Sequence, residues 1–248
     1  MKRIHAVPLA LAASVLAACS DSKDVTEPPV DPPAAVNEAQ VLVQYLENGR
    51  SYNVHGNFVV SASAVRTTLL ASPEKQYIID LRAAADFANG SIPGAVRVDM
   101  ANLVTHLRSL PAASAFERIV VVCYSGQTSA YAVGILRALG YTNAISLKWG
   151  MSSWHSDFAT PWNNNRGNAR ATQFVSGASP AMNAMAELPA LSTGRTLPAE
   201  ILEARAQALL TAGFSAATIN HNTLFSGLDS YYIINFWPPN LYQTPGHI

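Results

Sequence analysis

The chain has 248 residues, 49% of them hydrophobic, with 16 Lys+Arg balanced by 16 Asp+Glu and only two cysteines. Half-apolar composition is enough for a proper core, and the absence of a basic tract leaves nucleic-acid binding without electrostatic support. The six histidines are scattered without metal-ligand spacing, so no metal and no cofactor is assigned.

At the N-terminus, Lys2 and Arg3 form a basic start and Val7 to Val15 an apolar run, followed by Leu16-Ala17-Ala18-Cys19. Small residues before a cysteine resemble the lipobox of bacterial lipoproteins, which implies a signal peptide over 1–18 and a lipid on Cys19. An ordinary signal peptide or a short membrane anchor are the other readings, although the run is too short to span a bilayer comfortably. Ser20 rather than Asp after the cysteine suits outer-membrane delivery in enteric-type bacteria, so a lipid-anchored place in the cell envelope is expected. Loss of Lys2 and Arg3 leaves 14 Lys+Arg against 16 Asp+Glu, a net charge of −2. An acylated Cys19 cannot form a disulfide, which makes Cys123 the one remaining thiol in a compartment where structural cysteines normally pair. Residues 19–36, with DSKDVTEPPVDPPAA at their centre, read as a Pro-rich tether.

Folded sequence begins near Val36 with a helical stripe of Val41, Leu42, Tyr45 and Leu46. Strand and helix signals then alternate. Tyr77–Leu81 reads as a strand, Ala83–Asn89 as a short helix, Ala95–Asp99 as a strand and Ala101–Leu107 as a helix. Ile119–Val122 and Asn143–Leu147 are further strands, and Gly150–Trp154 is a closing turn. Such alternation predicts an α/β fold, a parallel sheet flanked by helices, with its site at the carboxyl ends of the strands.

The most informative stretch is Ile119 to Gly140. Four β-branched residues deliver Cys123 to a strand end, and a short loop of small polar residues follows. A helix comes next, with Ala132, Ile135, Leu136 and Leu139 on one face and Gly140 as its stop. A thiol there faces unpaired backbone N–H groups and the positive end of a helix dipole, both of which stabilise a thiolate or another anion. The other reading of a lone cysteine is a small core hydrophobe.

Residues 158–196 are rich in Asn, Ala, Ser and Gly and read as a long connector. Pro198 then opens a helix to about Leu210, with Gly213 as its stop. Further on, Thr223, Leu224, Tyr232, Ile233 and Ile234 repeat Thr68, Leu69, Tyr77, Ile78 and Ile79 at a shift of 155 positions. With one extra residue, Gly246 and Ile248 repeat Gly90 and Ile92. Chance agreement between two strand-and-turn segments is the alternative. A true repeat would make 197–248 the N-terminal part of a second domain whose remainder is absent.

YIIDLRAAADFANGSIPGA and CYSGQTSAYAVGILRALGYTNAISLKWGMSSW together resemble the rhodanese family, over about residues 37–157. The terminal YIINFWPPNLYQTPGHI resembles a second copy of the family's opening motif, as in tandem members with a truncated second domain. The resemblance implies a sulfurtransferase in which Cys123 attacks a sulfane sulfur, holds it as a persulfide and passes it to a small-molecule or protein acceptor. Backbone N–H groups of Tyr124, Ser125, Gly126, Gln127, Thr128 and Ser129 are expected to converge on the sulfur, with Thr128 and Ser129 adding hydroxyl donors. Asp80 and Arg82 are expected to brace the strand end through an ion pair, and Gly150 and Trp154 to serve packing and turn. Two departures stand out. Thr128 occupies a place where many active members carry Arg, which weighs against thiosulfate as donor. Ser91 replaces a usual His.

A non-catalytic binding or redox-sensing module is the competing function. A cysteine phosphatase would need a loop Arg and a larger loop, and a thioredoxin-like enzyme would need C-x-x-C. The chain offers neither.

Overall fold

A computed structural model describes residues 36–49, 57–111, 113–178, 181, 186–244 and 246–248. The expected signal peptide, Cys19 and the tether up to residue 35 lie outside the described residues, as do 179–180 and 182–185 of the connector. Five short strands pair side by side: β1 (Val59–Val60), β2 (Gln76–Asp80), β3 (Val96–Arg97), β4 (Arg118–Val122) and β5 (Ala144–Leu147). All are parallel, in the order β1-β5-β4-β2-β3.

Parallel neighbours need crossovers, and helices supply them. Helix α1 (Glu38–Gly49) precedes the sheet. α2 (Ala62–Ala71), α3 (Ala84–Ala88), α4 (Leu103–Ser109) and α5 (Gln127–Ala138) join successive strands, and α6 (Met151–Trp154) follows β5. The central strand explains its own composition. Ile119 and Val121 pack on one face with Leu103, Leu107, Ala132 and Leu136 from α4 and α5. Val120 and Val122 pack on the other with Val65 of α2 and Met151 of α6. A strand buried on both faces has no polar alternation to show, so it reads as a continuous β-branched run.

Helix α5 ends as its sequence predicts. Gly140 adopts φ +102°, Tyr141 N–H donates to the Leu136 carbonyl and Gly140 N–H to that of Arg137, the paired bonds of a Schellman cap. Arg137, buried in the same turn, donates through Nε to the Ala144 carbonyl at 2.7 Å and through Nη2 to Asn57 at 3.0 Å. Burial pulls its guanidinium below the ordinary value.

The chain after Trp154 is more ordered than a bare connector. A 3-10 turn at Ser156–Phe158 leads into helix α7 (Thr160–Asn165). Helix α8 (Pro198–Ala212) follows, then α9 (His221–Phe225) and α10 (Pro239–Gln243). Reading 197–248 as a second repeat groups α8 with the segment after it. In the structure, α8 packs against α1, and its Leu210 joins the hydrophobic cluster of β4, α4 and α5. Tyr232–Ile234, aligned by the repeat with β2, form no strand and are exposed. Among the described residues no helix is long and apolar enough to cross a membrane.

Candidate functional site

The register of the sheet sets the site. Asp80 lies opposite Val122 at the carboxyl ends of β2 and β4, and Val121 lies opposite Ser146 of β5. Cys123 therefore leaves the sheet at the rim, directly under the N-terminus of α5. The turn is made by Gly126, whose φ of +88° caps that helix. A side chain there would strain the backbone and press on Trp149 N at 3.0 Å.

Cys123 Sγ, buried at 4% exposure, accepts the backbone N–H of Gly126 at 3.1 Å and of Ser129 at 3.3 Å. Of the six loop residues whose N–H groups were expected to converge, these two make hydrogen bonds to the sulfur. Gly126 is the N-cap of α5 and Ser129 lies in its first turn, so the helix start supplies both donors. The hydroxyl of Ser129 stands 3.4 Å from Sγ, whereas that of Thr128 forms no hydrogen bond to it. Ser129 Oγ also meets the Gly126 carbonyl at 3.1 Å and Ser146 Oγ at 2.7 Å. Sequence reading missed Ser146, because only the β4–β5 register brings it under the loop.

Gly150 sets the other wall. At φ +54° its Cα lies so close to the loop that a β-carbon would fall 2.7 Å from the Tyr124 carbonyl carbon. Met151 N–H donates to the Cys123 carbonyl at 2.8 Å, and Ser152 donates to the Tyr124 carbonyl through N–H at 3.0 Å and Oγ at 2.8 Å. The closing turn is thus a clamp on the loop as well as a packing element.

Asp80 and Arg82 form the expected brace. The carboxylate accepts from Arg82 Nε at 3.0 Å and Nη2 at 2.7 Å, and Nη2 also reaches the Gly90 carbonyl at 2.7 Å. Burial works against the guanidinium charge, and the Asp80 carboxylate more than offsets it, holding Arg82 above its ordinary value. Its Nη1 has no hydrogen-bond partner among the described residues. The guanidinium instead sits 5.3 Å from the ring centroids of Tyr124 and Phe158. Tyr124 donates its hydroxyl to Asp86 Oδ1 at 2.7 Å, and this bond, with burial, pushes its phenol up.

A cavity of about 470 Å³ lies against Tyr124, Ser125 and Gln127, with Trp162 and Arg166 across it. Among the described residues no group of three His, Cys, Asp or Glu side chains is placed to hold a metal ion. A buried thiol that receives two N–H groups at a helix start is fitted to covalent chemistry through sulfur.

The family model of the rhodanese-like domain matches residues 64–157. A thiosulfate sulfurtransferase of Shewanella oneidensis is 36% identical over 78 residues, covering 32% of this chain and 74% of that protein. One from Pseudomonas fluorescens is 31% identical over 81 residues, covering 33% of this chain and 72% of its own length. A crystal structure of a rhodanese-like domain protein from Staphylococcus aureus shares 29% identity, covers 39% of this chain and 90% of that one, and superposes with a TM-score of 0.34. The chain belongs to the rhodanese-like domain family, through the segment that carries Cys123 and its loop.

Proposed function

We propose that the protein is an envelope-anchored sulfurtransferase that carries sulfane sulfur as a persulfide on Cys123. The observation that carries this reading is the pair of N–H bonds from Gly126 and Ser129 to Sγ, at 3.1 and 3.3 Å. They favour an anionic Sγ, the form that attacks a sulfane sulfur and that is released when the persulfide gives its sulfur up. The thiosulfate sulfurtransferases among its relatives make thiosulfate the first donor to try, although the loop carries Thr128 in place of Arg.

The chemistry balances without a cofactor. Cys123 gives its proton to solvent, and the thiolate attacks the outer sulfur of thiosulfate. An Sγ–S bond forms, the S–S bond of the donor breaks, and the electron pair leaves on sulfite. A thiophilic acceptor such as cyanide then attacks the terminal sulfur, leaving as thiocyanate and restoring the Cys123 thiolate. The Gly126 and Ser129 N–H groups stabilise Sγ as the attacking thiolate in the first half and as the leaving thiolate in the second. The test is mass spectrometry after exposure to donors. Gain of one sulfur atom on Cys123, removed by cyanide and absent in Cys123→Ser, is expected. No adduct with any sulfane donor would discard the sulfurtransferase in favour of a binding or redox-sensing module.

The anchor and the second repeat belong to the same proposal. The Leu16–Cys19 pattern supports cleavage before Cys19 and acylation of its thiol. The match of 223–234 to 68–79, with Tyr232 70% and Ile234 76% exposed, supports a second rhodanese-like repeat in this segment. The intact mass of the native protein tests both. Acylation adds fatty-acid mass to a chain starting at Cys19, and a further domain adds mass beyond that of residues 19–248.

A further inference from the structure

None of residues 124–129 carries a charge, yet the cavity beside them does contain one. Arg166 is the only charged side chain lining it, and it makes no hydrogen bond or ion pair among the described residues. The segment that brings it there is seated on the loop. Trp162 packs its ring 5.0 Å from that of Trp149, whose backbone in turn lies against Gly126. Trp162, Asn165 and Arg166 all line the cavity. At i, i+3 and i+4 they share one face where α7 gives way to extended chain. Opposite them stand Ser125 and Gln127, which offer a hydroxyl and an amide but no charge.

We propose that Arg166 reads the negative charge of the sulfur donor, supplying from the end of α7 the cation that the loop lacks at Thr128. The ligand class is a sulfane donor bearing an oxyanion, either inorganic thiosulfate or an organic thiosulfonate. A volume of about 470 Å³ falls in the range of pockets that hold organic ligands, so the cavity accommodates both. Asn165 and Gln127 amides add neutral donors to the same oxygens, and the Trp162 ring offers an apolar wall to an organic body. This inference rests on Cys123 being the sulfur carrier.

The test separates the two ideas. In the full chain, Cys123 is alkylated with iodoacetate and with iodoacetamide, reagents of similar size that differ in charge, and modification at Cys123 is followed by peptide mass. Arg166→Ala is expected to slow iodoacetate about fivefold relative to iodoacetamide, the effect of one partly screened charge pair. Arg166→Lys keeps the charge and is expected to keep most of the discrimination. With thiosulfate and with benzenethiosulfonate as separate donors, Arg166→Ala should raise KM by a similar factor and leave kcat nearly unchanged. An effect on one donor alone identifies that donor as the one whose charge Arg166 reads. An unchanged alkylation ratio in Arg166→Ala overturns the proposal. A changed ratio with no sulfur uptake from any donor retains Arg166 as an anion-reading residue and discards the sulfur donor as its anion.

Discussion

Ser129 has one hydroxyl proton and three neighbours that compete for it. With Cys123 protonated, Sγ–H donates to Ser129 Oγ at 3.4 Å while Ser129 donates to the Gly126 carbonyl at 3.1 Å. Once the thiol is ionised, that donation is gone, and the hydroxyl stabilises the sulfur only by turning toward it. Ser146 makes the turn inexpensive: it lies 2.7 Å from Ser129 Oγ and 3.4 Å from the Gly126 carbonyl. That carbonyl also keeps the Ala130 N–H at 3.0 Å. Ser129→Ala is therefore expected to lower kcat/KM for sulfur transfer about tenfold, the size of one hydrogen bond to an anion. Ser146→Ala is expected to cost about threefold by holding the Ser129 proton on Gly126. In a double-mutant cycle the pair should lose no more than Ser129→Ala alone. Additive losses would show that Ser146 acts independently of Ser129. Gly150 yields a separate prediction. An added methyl both strains φ +54° and collides with the Cys123–Tyr124 backbone. Gly150→Ala should lose about 2–4 kcal/mol of stability and nearly all sulfur transfer, measured by denaturant unfolding and turnover.

Among the elements, α1 and the segment before α8 are joined by one carboxylate. Glu38, in the first turn of α1, accepts the backbone N–H of Thr193 at 2.7 Å and of Gly194 at 2.9 Å. Its hydrogen bonds, those of Thr193 first, hold it below its ordinary value of 4.5. Because the folded value is the lower one, the clamp contributes fully above about pH 4.5 and is lost as pH falls through the folded value. The Thr193 and Gly194 amide resonances should accordingly move together in an acid titration with a midpoint below 4.5, and Glu38→Gln should abolish that step. Independent midpoints for the two amides would rule out the clamp. No local pattern announces this contact, since it joins residues 155 positions apart. The central strand and α5 were legible because period and cap lie within one contiguous stretch. β1, a two-residue edge strand, carries no period to read, and α7, written Thr-Pro-Trp-Asn-Asn-Asn, has poor helix formers stabilised by the Trp162–Trp149 contact. The site divides in the same way. Cys123 and its loop are read directly, while Ser146 and Arg166 reach the loop only through register and helix packing.

At the scale of the whole molecule, the question is where the rhodanese-like fold ends. Sequence composition breaks at 158–196, yet burial does not stop there. Ile201 and Leu210 of α8 are fully enclosed, Ala206 is buried between them, and Tyr131 of α5 donates its hydroxyl to the Leu209 carbonyl. Beyond Ala217, by contrast, Tyr232, Ile234, Phe236 and Trp237 are exposed. A backbone bridge between Val175 and His247 is one of the links that tie the end back to the connector. Two truncations distinguish a helix that completes the first domain from one that merely opens a second. Removing 218–248 deletes little enclosed surface and is expected to change unfolding free energy by about 1 kcal/mol or less. Removing 197–248 empties the socket of Leu210 above β4 and should destabilise by several times as much. Leu210→Ala alone is expected to cost about 2–5 kcal/mol, the usual loss for a leucine truncated in a core. If both truncations unfold at the same denaturant midpoint, α8 contributes nothing to the domain that holds Cys123. The expected split, with 218–248 dispensable and α8 required, would place the C-terminal boundary of the domain that holds Cys123 after α8 rather than before it.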